Sequence, residues 1–278
     1  MPRADQRVQE HKEKEGGFRE YLLGLARDLD QQLRPISENL DQVLRNIEVQ
    51  ARRESAEGML DYLAPLRVAA LFSKQDLARV VFEEPCTRHS SRGPHDVVLY
   101  THTDVRVVNE VKRLTETLWS RKEKEAATDC GKRTGLLHEM REDPDKSTGS
   151  HDIMLKEVWK KRLQLDPGQP NVLWFVSSND FYDDQKVEDV AYFLTVQRDQ
   201  LPEGQPGRAH QKPKDLTALG WLWDGDRSWT TEVPHCFLMD DHPSLGALLS
   251  TQQQFVVKKI ARSSEVEVST SGRAGISP

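Results

Sequence analysis

The sequence predicts an α/β protein on three observations. Apolar residues recur at helical spacing from Phe18 to Ile47, with Tyr21, Leu22, Leu25, Leu29, Leu33, Leu40, Val43 and Leu44 between them. Two runs rich in Val, Leu, Tyr and Thr, residues 96–101 and 105–112, flank the polar triplet His102-Thr103-Asp104, which is the pattern of a β-hairpin. Residues 171–177 are almost continuously apolar, as a strand covered on both faces must be.

Taken in order, residues 1–53 form a helical N-terminal arm whose charged first 16 residues are expected to be disordered. Pro35 opens a second helix or kinks the first. The arm's apolar stripe packs on the core or, by its near-heptad spacing, pairs two copies as a homodimer. Residues 54–72 read as a further helix with a break at Pro65, residues 77–82 as a strand, and residues 86–93 as a polar loop. A polar insertion fills residues 113–150, with a charged helix in its first part. Ser150 or Asp152 caps a helix that runs to about residue 165 and is ended by Asp166-Pro167-Gly168.

Asp183 or Asp184 starts a helix through residue 199. Residues 219–223 and 228–233 flank Asp224-Gly225-Asp226-Arg227 as a second hairpin. Its Trp221, Trp223 and Trp229 suit cross-strand core cover better than a base-stacking platform. Pro243 opens a last helix to about residue 261, and residues 263–278 form a tail expected to be disordered. Residues 54–180 are thus the expected core, and residues 181–262 a C-terminal α/β extension.

Composition excludes several classes. A chain of 278 residues can bury a sizeable core, and 30% charged residues with a net charge of −6 argue against a general nucleic-acid coat. A local basic groove is still compatible with that charge. No run is apolar enough for a membrane span, and the charged start has no signal-peptide core. Cys86, Cys130 and Cys236 are few and widely spaced, which predicts an intracellular protein (cytoplasmic, or nuclear in a eukaryote). No pair of cysteines has the spacing of a zinc knuckle, so zinc is not expected.

The chemistry concentrates in the first hairpin. If Thr101 faces Val105 across the turn, Asp96 lies directly opposite Glu110, and Lys112 falls on the same face by alternation. Opposed carboxylates need a compensating cation, and hard oxygen donors suit Mg²⁺. Asp104 is a rival acid, placed in the turn where Asp is common for backbone reasons.

The pattern Asp96-x(13)-Glu110-Val111-Lys112 resembles the PD-(D/E)XK nuclease superfamily. His95 is a departure, since the family often joins Pro and Asp directly. The resemblance covers less than half of the chain. It implies a restriction-endonuclease-like αβββαβ core, matched here by helix, strand, hairpin, helix and buried strand in sequence. It further implies Mg²⁺, with Mn²⁺ as substitute, on Asp96, Glu110 and the carbonyl of Val111, and Lys112 beside the attacking water. Glu57, with Glu54 as the alternative, is the candidate for an additional acid from the first core helix. Arg113, Lys156 and Lys160 are candidates for contact with DNA phosphates. The implied activity is metal-dependent hydrolysis of DNA phosphodiester bonds. A non-catalytic DNA-binding module of the same fold and a helical scaffold protein are the alternatives.

Overall fold

The computed structural model describes residues 2–73, 77–86, 93–103, 105–115, 150–178, 182–195, 212–223, 233–250 and 255–260. Helix α1 (Pro2–Leu33) leads through a short turn, Arg34–Ile36, into β1 (Ser37–Glu38) and α2 (Leu40–Arg52). α3 (Ala56–Phe72) follows, then β2 (Leu77–Glu84), β3 (His95–Thr101) and β4 (Arg106–Arg113). The chain continues with α4 (Ser150–Lys161), β5 (Asn171–Ser177), α5 (Asp184–Thr195) and β6 (Ala218–Trp223). It ends with β7 (His235–Leu238), α6 (Pro243–Ser250) and β8 (Val256–Lys259).

Among the described residues the eight strands form one mixed sheet in chain order, β1 to β8. β2, β3 and β4 are an antiparallel meander, whereas β4, β5 and β6 run parallel. Helices cover both faces, an α/β/α layering in which each face of the sheet buries its apolar side chains. On one face Leu22, Leu29, Leu33, Val43, Ile47, Leu63 and Phe72 from α1–α3 pack on Val97, Leu99, Val111 and Trp174. On the other, Met154, Leu155 and Val158 of α4 and Val187, Val190 and Leu194 of α5 pack on Leu173, Phe175 and Leu219. Every residue of β5 is buried, which explains its unbroken apolar sequence. Gly220 lets β6 pass Trp174, whose ring lies 2.3 Å from where a β-carbon would stand.

Several elements differ from the sequence reading. The arm's helix reaches back to Pro2, through residues expected to be disordered, whereas its apolar stripe packs on α3 within the chain, as the first of the two readings has it. Pro65 lies inside α3 without ending it, while Ser55 caps the helix by accepting the Gly58 N–H at 3.0 Å. The last helix stops at Ser250. Its expected continuation is the strand β8, because the β-branched pair Val256-Val257 extends the sheet beside β7. β6 pairs with His235–Leu238 beyond Pro234, and the expected turn at residues 224–227 lies outside the described residues. So do Asp104, Cys130, Trp229, residues 116–149 and the tail from residue 261. Among the described residues no helix is long and apolar enough to cross a membrane.

Candidate active site

The register of the β3–β4 hairpin positions the two acids. Val97 pairs with Asn109 and Tyr100 with Arg106, and the Thr101 N–H donates to the Val105 carbonyl at 3.0 Å. One step along that ladder, Asp96 stands opposite Glu110 on the same face. It is the face that α4 covers, because the neighbours of Glu110 and Lys112 on β5 are Leu173 and Phe175.

α4 carries a cation to the pair. Lys161 follows buried Met154 and Val158 at helical spacing, on the side turned toward the sheet. Its Nζ donates to Asp96 Oδ2 at 2.8 Å and to Glu110 Oε2 at 2.9 Å. Asp96 Oδ2 also accepts the backbone N–H of Val111 at 2.7 Å. Glu110 is fully buried, and its Oε1 lies 3.0 Å from His95 Nδ1. An ammonium thus resolves the like-charge repulsion that two opposed acids create.

Burial pushes the Glu110 carboxyl above its ordinary value and the charge of Asp96 adds to this, against His95 and Lys161. Burial by itself would lower the Lys161 ammonium, but Asp96 and Glu110 outweigh it and hold the proton more tightly than usual. Lys161 therefore stays charged between its two acceptors.

A polar network extends from the pair along the sheet. His95 Nε2 approaches Asp166 Oδ2 at 3.4 Å, and Arg106 joins Asp166 to Glu84, the latter at 2.9 Å. Glu84 also accepts from the Tyr100 hydroxyl at 2.8 Å. It follows Glu83, whose φ of 50° is left-handed and interrupts the alternation at the end of β2. Asn171 fixes the other side of the network, accepting the Asp166 N–H at 2.9 Å and donating to its carbonyl at 2.8 Å.

The sequence-derived candidates separate into two groups. Asp96 and Glu110 come together with Val111, which contributes its N–H. Lys112 shares their face, but its side chain is 39% exposed and its ammonium lies 3.5 Å from Glu157 of α4. Glu57 meets Arg113, which also meets Asp61, and α3 packs on the opposite face of the sheet from Glu110. The structure does not bring Glu57 or Arg113 to the acid pair. Lys156 and Lys160 are exposed, and Lys160 pairs with Glu157 at 2.6 Å.

Lys161, His95, Glu157 and Asp166 went unassigned in the sequence. For Lys161 a signal existed: continuing the stripe of residues 154 and 158 by three positions gives 161, whereas 156 and 160 fall on the outer side. Comparison with family models, with curated proteins and with solved structures finds no match for the chain.

Proposed function

We propose that the chain is a metal-dependent phosphodiester hydrolase acting on DNA, with Mg²⁺ or Mn²⁺ held by Asp96 and Glu110. One observation carries the proposal: two carboxylates on facing strands hold a cation between them, with Lys161 Nζ at 2.8 and 2.9 Å. The donors are hard oxygens, the set that suits Mg²⁺. The order α3, β2, β3, β4, α4, β5 supports the resemblance to the PD-(D/E)XK core. When bound, the ion would polarise a phosphoryl oxygen and acidify a water.

The chain's own residues do the rest. Asp96 and Glu110 supply the negative charge that holds the ion, and the Val111 N–H orients Asp96. Asp96 and Glu110 would hold the ion in competition with Lys161, and Lys161 and Lys112 would offer positive charge to the phosphate. Glu157 holds Lys112 against α4. A second reading has its own support, because Lys161 already neutralises the pair without a metal. A DNA-binding module that has exchanged its cation for a lysine would look the same.

The test is nicking of supercoiled plasmid in Mg²⁺ or Mn²⁺ by the wild type, Asp96→Asn and Glu110→Gln. Chelator-sensitive nicking that both variants lose is the expected result. DNA retention without nicking in any divalent ion would select the second reading, and neither activity would overturn both.

A further inference from the structure

Beside the acid pair, three residues of different chemistry meet in the interior. Cys86 follows the end of β2, His95 begins β3, and Asp166 lies in the segment between α4 and β5. One ligand atom of each, the Cys86 sulfur, a His95 nitrogen and an Asp166 oxygen, lies within 4.8 Å of the other two. All three are buried, His95 completely.

The histidine shows what the cluster lacks. Its Nδ1 is taken up by Glu110 Oε1 at 3.0 Å, whereas Nε2 has no hydrogen-bond partner. That nitrogen lies 3.4 Å from Asp166 Oδ2 without the geometry of a hydrogen bond. With Nδ1 donating its proton to Glu110, Nε2 carries a lone pair aimed among a thiol and a carboxylate. Arg106 already meets Asp166 from one side, so what the buried cluster lacks is a partner for the Nε2 lone pair.

We propose that Cys86 Sγ, His95 Nε2 and an Asp166 oxygen form a separate Zn²⁺ site, with one position left to a further ligand. Thiolate, imidazole and carboxylate are the zinc-binding set, and donors around a tetrahedral zinc stand about 3.3–3.8 Å apart, a small contraction of this cluster. One thiolate and one carboxylate neutralise the ion, so the buried assembly carries no net charge. Glu110 completes it from outside, since metal-bound histidines donate their second N–H to a carboxylate that fixes the ring. Arg106 and the Asn171 contacts orient Asp166 in the same way. Binding converts the Cys86 thiol to thiolate and releases its proton to solvent. The sequence rule that excludes a zinc knuckle does not reach this site, because the sheet, not a local loop, assembles it. The site stands whether or not the acid pair hydrolyses DNA.

The test uses the full chain, stripped with chelator and loaded with Zn²⁺ against a chromophoric zinc indicator, then with Co²⁺. The wild type should take up one equivalent that depends on Cys86, whether or not a further ion occupies the acid pair, and its Co²⁺ form should show a near-ultraviolet thiolate-to-metal charge-transfer band with tetrahedral visible bands. Cys86→Ser removes a direct ligand, so it should lose the charge-transfer band and weaken Zn²⁺ binding by more than the roughly 10–100-fold that loss of an outer-shell partner costs. Cys130→Ser and Cys236→Ser should keep the band. Circular dichroism reports whether each variant is folded, and Asp166→Asn gives a second route to weakened binding without touching the thiol. The proposal is overturned if the wild type takes up no zinc, if the Co²⁺ form lacks the thiolate band, or if a folded Cys86→Ser binds zinc as the wild type does.

Discussion

Removing Lys161 would strand Glu110, which is fully buried, beside a second carboxylate. Breaking a buried ion pair from one side is costly, and with Lys161 and Asp96 still partly open to solvent we expect Lys161→Met to lose about 3 kcal/mol at neutral pH. The sign of the pH dependence follows from the two shifts. The Glu110 carboxyl is raised, so the variant's penalty is full above that raised value and shrinks as pH falls through it and the acid becomes neutral. The Lys161 ammonium is also raised, so the wild type's advantage is complete below the ordinary lysine value of about 10.4 and fades as pH climbs through the higher folded value. Denaturant midpoints of both proteins across pH measure the gap directly. A gap that widens toward acid would contradict this account of the pair. Cys236 shows the opposite case of an isolated buried group, its thiol pushed up to about 12 by burial alone and so inert at neutral pH.

At the scale of elements, the β3–β4 hairpin was legible because side-chain alternation and a short turn leave one register, and that register is observed. β5 was legible for the same kind of reason, since a strand covered on both faces has no polar position to spare. β8 was not. Four residues after a helix carry too little periodicity to be told from its continuation. The site was legible in its acids and not in its cation, because Lys161 reaches Asp96 and Glu110 from another element, 65 and 51 residues away in sequence. The segment after α4 depends on Asn171, whose amide serves the backbone of Asp166, Gln169 and Asp215 at 2.8–2.9 Å. Asn171→Ala leaves those buried and half-buried groups without its amide and should cost about 2–4 kcal/mol, read as a lower urea midpoint at unchanged slope. Asn171→Asp keeps the acceptor but turns a buried carboxylate oxygen toward those three carbonyl oxygens, and should cost at least as much as Asn171→Ala at neutral pH. Equal stability of Asn171→Ala and wild type would mean that the segment is held by its other contacts.

For the molecule as a whole, one sheet joins the N-terminal arm, the hairpin and the C-terminal strands, so the site sits on a support continuous from β1 to β8. The acid pair gains its order from three directions: the meander sets the register, α4 brings the ammonium, and His95 fixes Glu110 from the start of β3. A cation site built this way is already filled by Lys161, with which a divalent ion would have to compete. The most direct measurement is calorimetric titration of Mn²⁺ into the Cys86→Ser chain, whose second cluster lacks its thiolate, alone and combined with Lys161→Met or Glu110→Gln. The account predicts one bound ion in the parent, tighter binding once Lys161 is removed, and none when Glu110 is replaced. Absence of binding in both the parent and its Lys161→Met form, or undiminished binding with Glu110→Gln, would contradict it.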